Sequence, residues 1–213
     1  MPERSPTFRV RVRGPMACFT RPELKVERVS YEVMTPSAAR GILEAILWKP
    51  AIRWRIEQIA VLAPIRFSQI KRNEVNARLS ERGRHSAYFA EDDRAQRNTL
   101  YLRDVDYVVE AHLEMTAKAG DDDNLTKFIE MFTRRLEKGQ RFHQPYLGCR
   151  EFAATVEAAP SPLPPPHESL MGLKPLGLIL HDIDFEHGNQ PRFFEARIVD
   201  GVMAVPRFEE VPA

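Results

Sequence analysis

The sequence has few cysteines and lacks the motifs of common metal and nucleotide sites. Only Cys18 and Cys149 occur among 213 residues, and two cysteines cannot complete a zinc site alone. One disulfide would fit this pair, but we expect two buried thiols in a reducing compartment. No glycine-rich phosphate loop, His-Glu-x-x-His or Cys-x-x-Cys is present, so we expect no cofactor and no metal.

Long apolar runs are absent as well. No run approaches the ~20 residues needed to span a bilayer, and residues 1–13 lack the apolar region of a signal peptide. We therefore expect a soluble, cytoplasmic protein with no membrane partner. The length indicates one domain with a sizeable core, or one domain with a small addition.

The net charge of +1 hides an uneven distribution. Residues 1–89 hold 17 Lys and Arg against 8 Asp and Glu, whereas residues 90–213 hold 14 against 22. A basic half favours a polyanion as partner through phosphate contacts. Ordinary solvated charge explains the same distribution equally well.

Patterns in the first half predict a strand, a helix and two more strands. Residues 7–13 alternate between apolar and arginine positions, which indicates a strand with a basic face. Thr35 and Pro36 are typical of a helix start, and the helix should reach about Trp48, before Pro50. Further strands are predicted at 52–62 and 65–72, followed by a long charged loop at 73–98.

The second half repeats this order. Residues 104–116 alternate as a strand, and Asp121–Asp123 supply negative charge at the start of a helix that ends at Gly139. We prefer this capping role to a metal site for the three aspartates. Later strands are predicted at 148–157, 176–185, 192–199 and 202–205, with Asp200-Gly201 as a type I′ hairpin turn.

This element order predicts an α+β fold. Two β-α-β units separated by a hairpin and a loop are typical of the ferredoxin-like fold that RNA-recognition (RRM-like) domains share. We expect this domain at 1–158, with the inserted hairpin and loop at about 63–103. Residues 159–213 are predicted as a proline-rich joint followed by a small C-terminal antiparallel β-subdomain.

Two segments are dense in the residue types that bind unpaired RNA. Cys18–Ile46 begins Cys-Phe-Thr-Arg-Pro-Glu-Leu-Lys-Val-Glu-Arg-Val-Ser-Tyr and enters the first helix. Lys138–Phe152 reads Lys-Gly-Gln-Arg-Phe-His-Gln-Pro-Tyr-Leu-Gly-Cys-Arg-Glu-Phe. Cationic side chains bind phosphates and aromatic rings stack on bases. A structural loop with Phe142 and Tyr146 packed inward also fits the second segment.

These two segments closely resemble the CRISPR-associated RAMP subunit of type I-C Cascade, the d branch of the Cas-five family. The matching stretches are 18–70, 100–120, 131–152 and, more loosely, 176–205. The resemblance implies a protein of antiviral defence that binds CRISPR repeat RNA. It further implies that the subunit holds the 5′ handle of the crRNA and contacts the backbone and large subunits of Cascade.

Many family members also cut pre-crRNA without metal, by attack of a ribose 2′-hydroxyl on the adjacent phosphate. The resemblance implies a Tyr or His at the end of the first helix and a Lys-His pair opening the second. The matching positions here are Leu47, Lys127 and Phe128, and two of these three cannot transfer protons. Lys127 points away from the apolar stripe of its helix. It either contacts a phosphate or is an ordinary exposed lysine. The candidate substitutes as proton carriers are His143, Tyr31 and Tyr146.

The sequence therefore leaves enzymatic activity open. A non-catalytic subunit that holds the 5′ handle is favoured by Leu47 and Phe128. The alternative is an active pre-crRNA endoribonuclease that uses Lys127 with a substitute proton carrier, and non-specific binding of duplex DNA is a third. RNA contacts are predicted at Arg21, Lys25, Arg28, Tyr31, Arg40, Lys127, Arg141 and His143.

The charged loop at 73–98 has two interpretations. It either grips RNA or a partner, or it is a solvated loop. The residues that would grip are Arg78, Arg82, Arg84, Arg94 and Arg97, with Tyr88 and Phe89 between them.

Overall fold

The computed structural model describes residues 3–76, 89–185 and 187–212. These residues form an α+β fold, a mostly antiparallel sheet with two α-helices, Pro36–Ile46 (α1) and Leu125–Glu137 (α2), packed against it. In the described part of the chain, no helix is both long and apolar enough to cross a membrane. The strands are Phe8–Ala17 (β1), Arg28–Val29 (β2), Ile52–Val61 (β3), Phe67–Val75 (β4), Arg94–Met115 (β5), Thr155–Ala158 (β6), Leu173–Asp184 (β7), Gln190–Val199 (β8) and Val202–Ala204 (β9).

The sheet has the strand order β6-β1-β5-β3-β9-β8-β7, and both β2 and β4 pair with β5 beside this path. β5 runs antiparallel to β1, β3 and β4. β9 pairs with β3, so the C-terminal strands continue the same sheet. The division at residue 158 into a domain and a subdomain stays a prediction.

Helix α1 begins where the sequence predicted. The hydroxyl of Thr35 accepts a hydrogen bond from the backbone N–H of Ala38 at 3.2 Å, and Pro36 occupies the first turn. The helix ends at Ile46, two residues earlier than predicted, because Leu47 has extended backbone. Its buried face packs against the sheet and consists of Pro36, Ala39, Ile42, Leu43, Ala45 and Ile46.

The N-cap of helix α2 lies one residue after the aspartates that were predicted to cap it. Oδ1 of Asn124, not a carboxylate of Asp121–Asp123, accepts the hydrogen bond from the N–H of Lys127 at 2.9 Å. Gly139 follows the helix with a φ of 64°, as its position at the predicted end requires. The helix buries Leu125, Phe128 and Phe132.

The predicted loop at 73–98 is partly wrong. Residues 73–75 belong to β4 and residues 94–98 to β5, and the two strands pair from Val75 and Arg94 onward. Most side chains of this ribbon are exposed or half-buried on both faces, so no apolar alternation marks it in the sequence. Residues 77–88, with Arg78, Arg82, Arg84 and Tyr88, lie outside the described residues.

The predicted strand at 148–157 is also shorter than expected, because β6 covers only 155–158 and a turn precedes it. Gly148 adopts a φ of 83° there. A Cβ at this position would lie 2.0 Å from the carbonyl oxygen of Cys18, so the turn requires glycine. This contact joins the two sequence segments that carried the family resemblance.

Candidate nucleic-acid interface

A cavity of about 280 Å³ opens between the end of α1 and the start of α2. Three lysines and one carboxylate reach it, so its charge favours an anion. The residues that line it are Lys49, Pro50, Ala51, Lys118, Asp123, Lys127, Phe128 and Met131. We call this the lysine cavity.

Three separate segments supply the lysines. Lys49 follows α1, Lys118 lies in the turn between β5 and α2, and Lys127 lies in the first turn of α2. The hydroxyl of Thr116 donates to the carbonyl oxygen of Pro50 at 2.6 Å. This hydrogen bond holds the β5–α2 turn against the chain that leaves α1, and so brings Lys118 and Lys49 to one cavity.

Lys127 has one ionic partner at the cavity. Its Nζ lies 3.2 Å from Oδ1 of Asp123, and 45% of the lysine side chain is exposed. Hydrogen bonds from the N–H of Gly120 and from Lys127 lower the pKa of Asp123, which therefore stays ionised at neutral pH. Because solvent screens this exposed pair, an incoming anion can compete for the lysine.

The two apolar positions beside the cavity belong to the core. Leu47 is fully buried and Phe128 is 1% exposed. The indole N–H of Trp54 donates to the carbonyl oxygen of Leu47 at 3.0 Å, which fixes the backbone there. Neither side chain can transfer a proton, and both stabilise the packing of the helices on the sheet.

The loop after α2 presents aromatic rings to solvent. Phe142 is 86% exposed, so the alternative that packs its ring inward is wrong. His143 is exposed and stacks on Tyr146 with ring centroids 6.3 Å apart. The N–H of Phe142 donates to the carbonyl oxygen of Ala45 at 2.8 Å, which anchors the loop at the end of α1. Arg141 is exposed on the same loop.

Sequence reasoning missed three residues at this end of α1. Trp48 is 60% exposed, whereas the chain's other tryptophan, Trp54, is 3% exposed. Trp48 and Lys49 stood in the predicted end of the helix, where an aromatic residue beside a lysine could have drawn notice. No local pattern marks Lys118, because only the fold brings it to Lys49.

Two residues predicted to contact RNA are engaged inside the fold. Arg40 donates to both carboxylate oxygens of Asp182 in β7, at 2.6 and 3.0 Å, and to Glu44 at 2.7 Å. Tyr31 is 2% exposed, and burial raises the pKa of its hydroxyl, which disfavours proton transfer at neutral pH. Either side chain would have to leave its present environment to touch RNA.

The other predicted cations in the first segment lie around β2. The guanidinium of Arg21 stands 4.6 Å from the ring centroid of Tyr31, and Lys25 is exposed. Arg28 donates from Nη1 to Sγ of Cys149 at 3.2 Å. The described lining of the lysine cavity includes none of these three cations.

Cys18 and Cys149 are free and buried, which confirms the expected pair of thiols. A hydrogen bond from Cys18 and the guanidinium of Arg28 lower the pKa of Cys149 to about 6, although burial opposes them. The pKa of Cys18 rises, chiefly because its thiol donates to Cys149. Arg28 is therefore a partner of the Cys149 sulfur in addition to being a candidate RNA contact.

The predicted basic face of β1 is neutralised by ion pairs, and we call this the paired face. Each arginine contacts a carboxylate of a later strand, so the positive excess of residues 1–89 meets the negative excess of residues 90–213 inside the fold. The same holds for Arg55 in β3. The pairs are Arg9–Glu110 at 2.9 Å, Arg11–Asp106 at 2.6 Å, Arg13–Glu157 at 2.8 Å, Arg55–Glu114 at 2.7 Å and Arg55–Glu209 at 2.6 Å.

Nearly the whole chain matches one known protein family. The Cas5d family model, described as CRISPR-associated protein (Cas_Cas5), matches residues 7–206. The chain belongs to the Cas5d family. The family resemblance read from the sequence is thereby confirmed.

Two curated Cas5d proteins are similar over nearly their full length. The protein of Mannheimia succiniciproducens is 54% identical, with 96% of this chain and 97% of that protein covered. The protein of Thermus thermophilus is 42% identical, with 93% of this chain and 91% of that protein covered. Both are named CRISPR pre-crRNA endoribonuclease Cas5d.

Solved structures support the same fold. A CRISPR-associated protein superposes with a TM-score of 0.76 at 24% identity, over 100% of this chain and 98% of the other. A protein of Streptococcus mutans, SMU1763c, gives 0.74 at 24% identity with the same coverage. A chain of a CRISPR RNA-guided surveillance complex gives 0.53 at 16% identity, over 95% of this chain and 90% of that chain.

Proposed function

We propose that this Cas5d chain is a CRISPR RNA-binding subunit of a cytoplasmic type I-C Cascade and holds the 5′ handle of the crRNA. The observation that carries the proposal is the combination of lysine cavity and exposed rings at the end of α1. Ammonium groups bind phosphates and aromatic rings stack on unpaired bases, which is how proteins hold single-stranded RNA. The names of the two curated relatives support pre-crRNA as the RNA.

The strand order supports a ferredoxin-like RAMP domain within 1–158. The neighbouring strands β6-β1-β5-β3 contain two β-α-β units, β1-α1-β3 and β5-α2-β6. This repeat of strand, helix and strand is the ferredoxin-like arrangement. One fold neighbour is part of a CRISPR RNA-guided surveillance complex, a setting that fits backbone and large Cascade subunits as further partners.

Within this function, we assign separate roles to the exposed candidates. Lys127 binds a phosphate at the cavity, while Arg141 and His143 contact RNA from the loop beside the end of α1. Arg21, Lys25 and Arg28 would serve RNA that continues along β2. Of these three, Arg28 can be tested through a second property, because its guanidinium also donates to the sulfur of Cys149.

An active pre-crRNA endoribonuclease is the second candidate, favoured by the name of a relative that is 54% identical. Attack by the 2′-hydroxyl needs a proton acceptor, a proton donor and a cation. Lys127 can supply the cation, whereas the buried Leu47 and Phe128 supply no proton carrier. We propose that cutting, where it occurs, uses His143, whose exposed imidazole can accept and donate a proton.

One assay separates the two candidates. Purified protein is incubated with its cognate repeat RNA in EDTA, beside the variants Lys127→Ala and His143→Ala. Lys174→Ala in β7 is the matched lysine control. The endoribonuclease is supported if the wild type and the control cut the RNA at one site and both variants fail to cut it. Tight binding of intact RNA supports the holding subunit.

Two other results would contradict both candidates. A chain that neither binds nor cuts repeat RNA has no such function. Equal affinity for any duplex DNA, with steep salt dependence, would instead support non-specific DNA binding.

A further inference from the structure

We propose that the end of α1 holds one unpaired nucleotide, with its base on the ring of Trp48 and its phosphate among Lys49, Lys118 and Lys127. The inference rests on the RNA-binding function proposed above. It gives that function a defined ligand, a single-stranded nucleotide, and adds Trp48, Lys49 and Lys118 to the residues that bind it.

The phosphate position follows from the charge of the lysine cavity. Among the described residues, Lys127 pairs with Asp123, while no ion pair involves Lys49 or Lys118. The cavity therefore has more positive than negative groups, in contrast with the paired face of the sheet. A phosphate that enters can replace Asp123 as the partner of Lys127, because solvent reaches this ion pair and weakens it, while Asp123 keeps its hydrogen bond from the N–H of Gly120.

The base position follows from Trp48. Its ring is 60% exposed, and it directly precedes Lys49, whose side chain lines the cavity. Consecutive Cα atoms are about 3.8 Å apart, so the indole ring and the ammonium group can reach the base and the phosphate of one nucleotide. Tryptophan stacks on any base without sequence preference. Phe142, on the loop anchored at Ala45, offers a neighbouring base a second ring.

Tryptophan fluorescence tests the base position directly, because the chain has two tryptophans and Trp54 is buried. Titration with single-stranded repeat RNA should quench the emission of Trp48. The variant Trp48→Phe should lose the quenching and keep most of the affinity, since its ring still stacks. Trp48→Ala should bind about tenfold more weakly. Saturating RNA that leaves the emission of the wild type unchanged would overturn the stacking role.

Salt dependence tests the phosphate position. Each of Lys49→Ala and Lys118→Ala should reduce the slope of log K against log salt concentration by about 0.7, the value for one phosphate contact on a single strand. Lys174→Ala should leave the slope unchanged. Circular dichroism and thermal unfolding verify that these surface variants fold.

The results of these experiments distinguish the nucleotide site from the RNA-binding function proposed above. If the wild-type protein binds repeat RNA and the double variant Lys49→Ala, Lys118→Ala keeps the full affinity and the full salt slope, only the nucleotide site is overturned. Wild-type protein that fails to bind repeat RNA overturns the proposed function as well.

Discussion

The paired face of the sheet and the lysine cavity are both rich in positive side chains, yet they differ in what faces those side chains. On the paired face, Arg11 donates from two nitrogens to the two carboxylate oxygens of Asp106, at 3.0 and 2.6 Å. At the cavity, three lysines stand beside one half-buried carboxylate, and of the three Lys127 forms an ion pair with it among the described residues. Arginine suits fixed, two-pronged pairing, while lysine acts as a compact and exchangeable point charge.

An excess of positive charge in one half of a sequence therefore does not by itself predict a surface that binds a polyanion. Four arginines of the basic half, at positions 9, 11, 13 and 55, meet carboxylates from residues 90–213 across the sheet. At the lysine cavity, by contrast, Lys49 and Lys118 form no ion pair with any described residue and can bind an anion. Four experiments test this division, beginning with the largest expected effect.

Removal of Asp182 should destabilise the protein by about 3 kcal/mol, because it leaves the half-buried Arg40 without its main partner. Urea unfolding measures the loss. Glu23→Ala is the control, since its exposed pair with Arg21 at 3.9 Å should contribute less than about 0.5 kcal/mol. If Asp182→Ala instead binds repeat RNA more tightly, Arg40 belongs with the RNA contacts after all.

Lys127→Ala should weaken binding of repeat RNA by about tenfold at low salt, since a phosphate contact is lost. Arg11→Ala should leave RNA affinity unchanged and reduce stability by about 1 kcal/mol, the scale of one hydrogen-bonded pair. Fluorescence anisotropy and urea unfolding measure the two quantities. If Lys127→Ala and Arg11→Ala lose RNA affinity equally, the paired face and the lysine cavity do not differ in RNA binding.

Glu114→Gln tests the paired face by pH. Burial alone would raise the pKa of Glu114, but hydrogen bonds from Arg55 and His112 outweigh it and lower the pKa below its ordinary 4.5. The folded pKa is the lower one, so the stabilisation is complete above pH 4.5 and is lost as the pH falls through the folded value. The variant should be about 1 kcal/mol less stable at pH 7. A difference that persists in acid would contradict this pairing.

The smallest effect concerns Arg28 and changes only an absorbance. With a pKa of about 6, Cys149 should give a thiolate band in the far ultraviolet that titrates around pH 6. In Arg28→Ala the band should appear at higher pH, because a guanidinium donor is lost, and Cys149→Ala should lack it. A wild-type band that forms only near the ordinary thiol pKa of 9.0 would contradict the pairing of Arg28 with a Cys149 thiolate.

Local features of the fold were predictable from the sequence, whereas pairing between distant residues was not. The cap at Thr35 was predicted because its contact spans three residues. The turn at Asp200-Gly201 has φ values of 48° and 82°, as a type I′ turn requires. Arg9 and Glu110 are 101 residues apart, so no local pattern joins them. Residues 94–98 were missed because a ribbon exposed on both faces lacks alternation.

The candidate site divides in the same way. Lys127 was predicted as exposed, since it stands one position from the buried Phe128 on the helix. The burial of Tyr31 and Arg40 was missed, because their neighbours in β7 arrive roughly 140 residues later in the chain. The assembly of Lys49 with Lys118 depends on Thr116 and Pro50, which the sequence separates by 66 residues.

The length of β5 has a mechanical consequence. Its 22 residues would extend roughly 75 Å if straight, at about 3.4 Å per residue. At Leu102 the strand is paired with Ala17 of β1 and with Phe67 of β4 at once. A displacement of the β4–β5 ribbon therefore acts on the same strand that pairs with β1 and β3 in the middle of the sheet. The hydrogen bonds of β5 thus couple the ribbon to the strands against which the two helices pack.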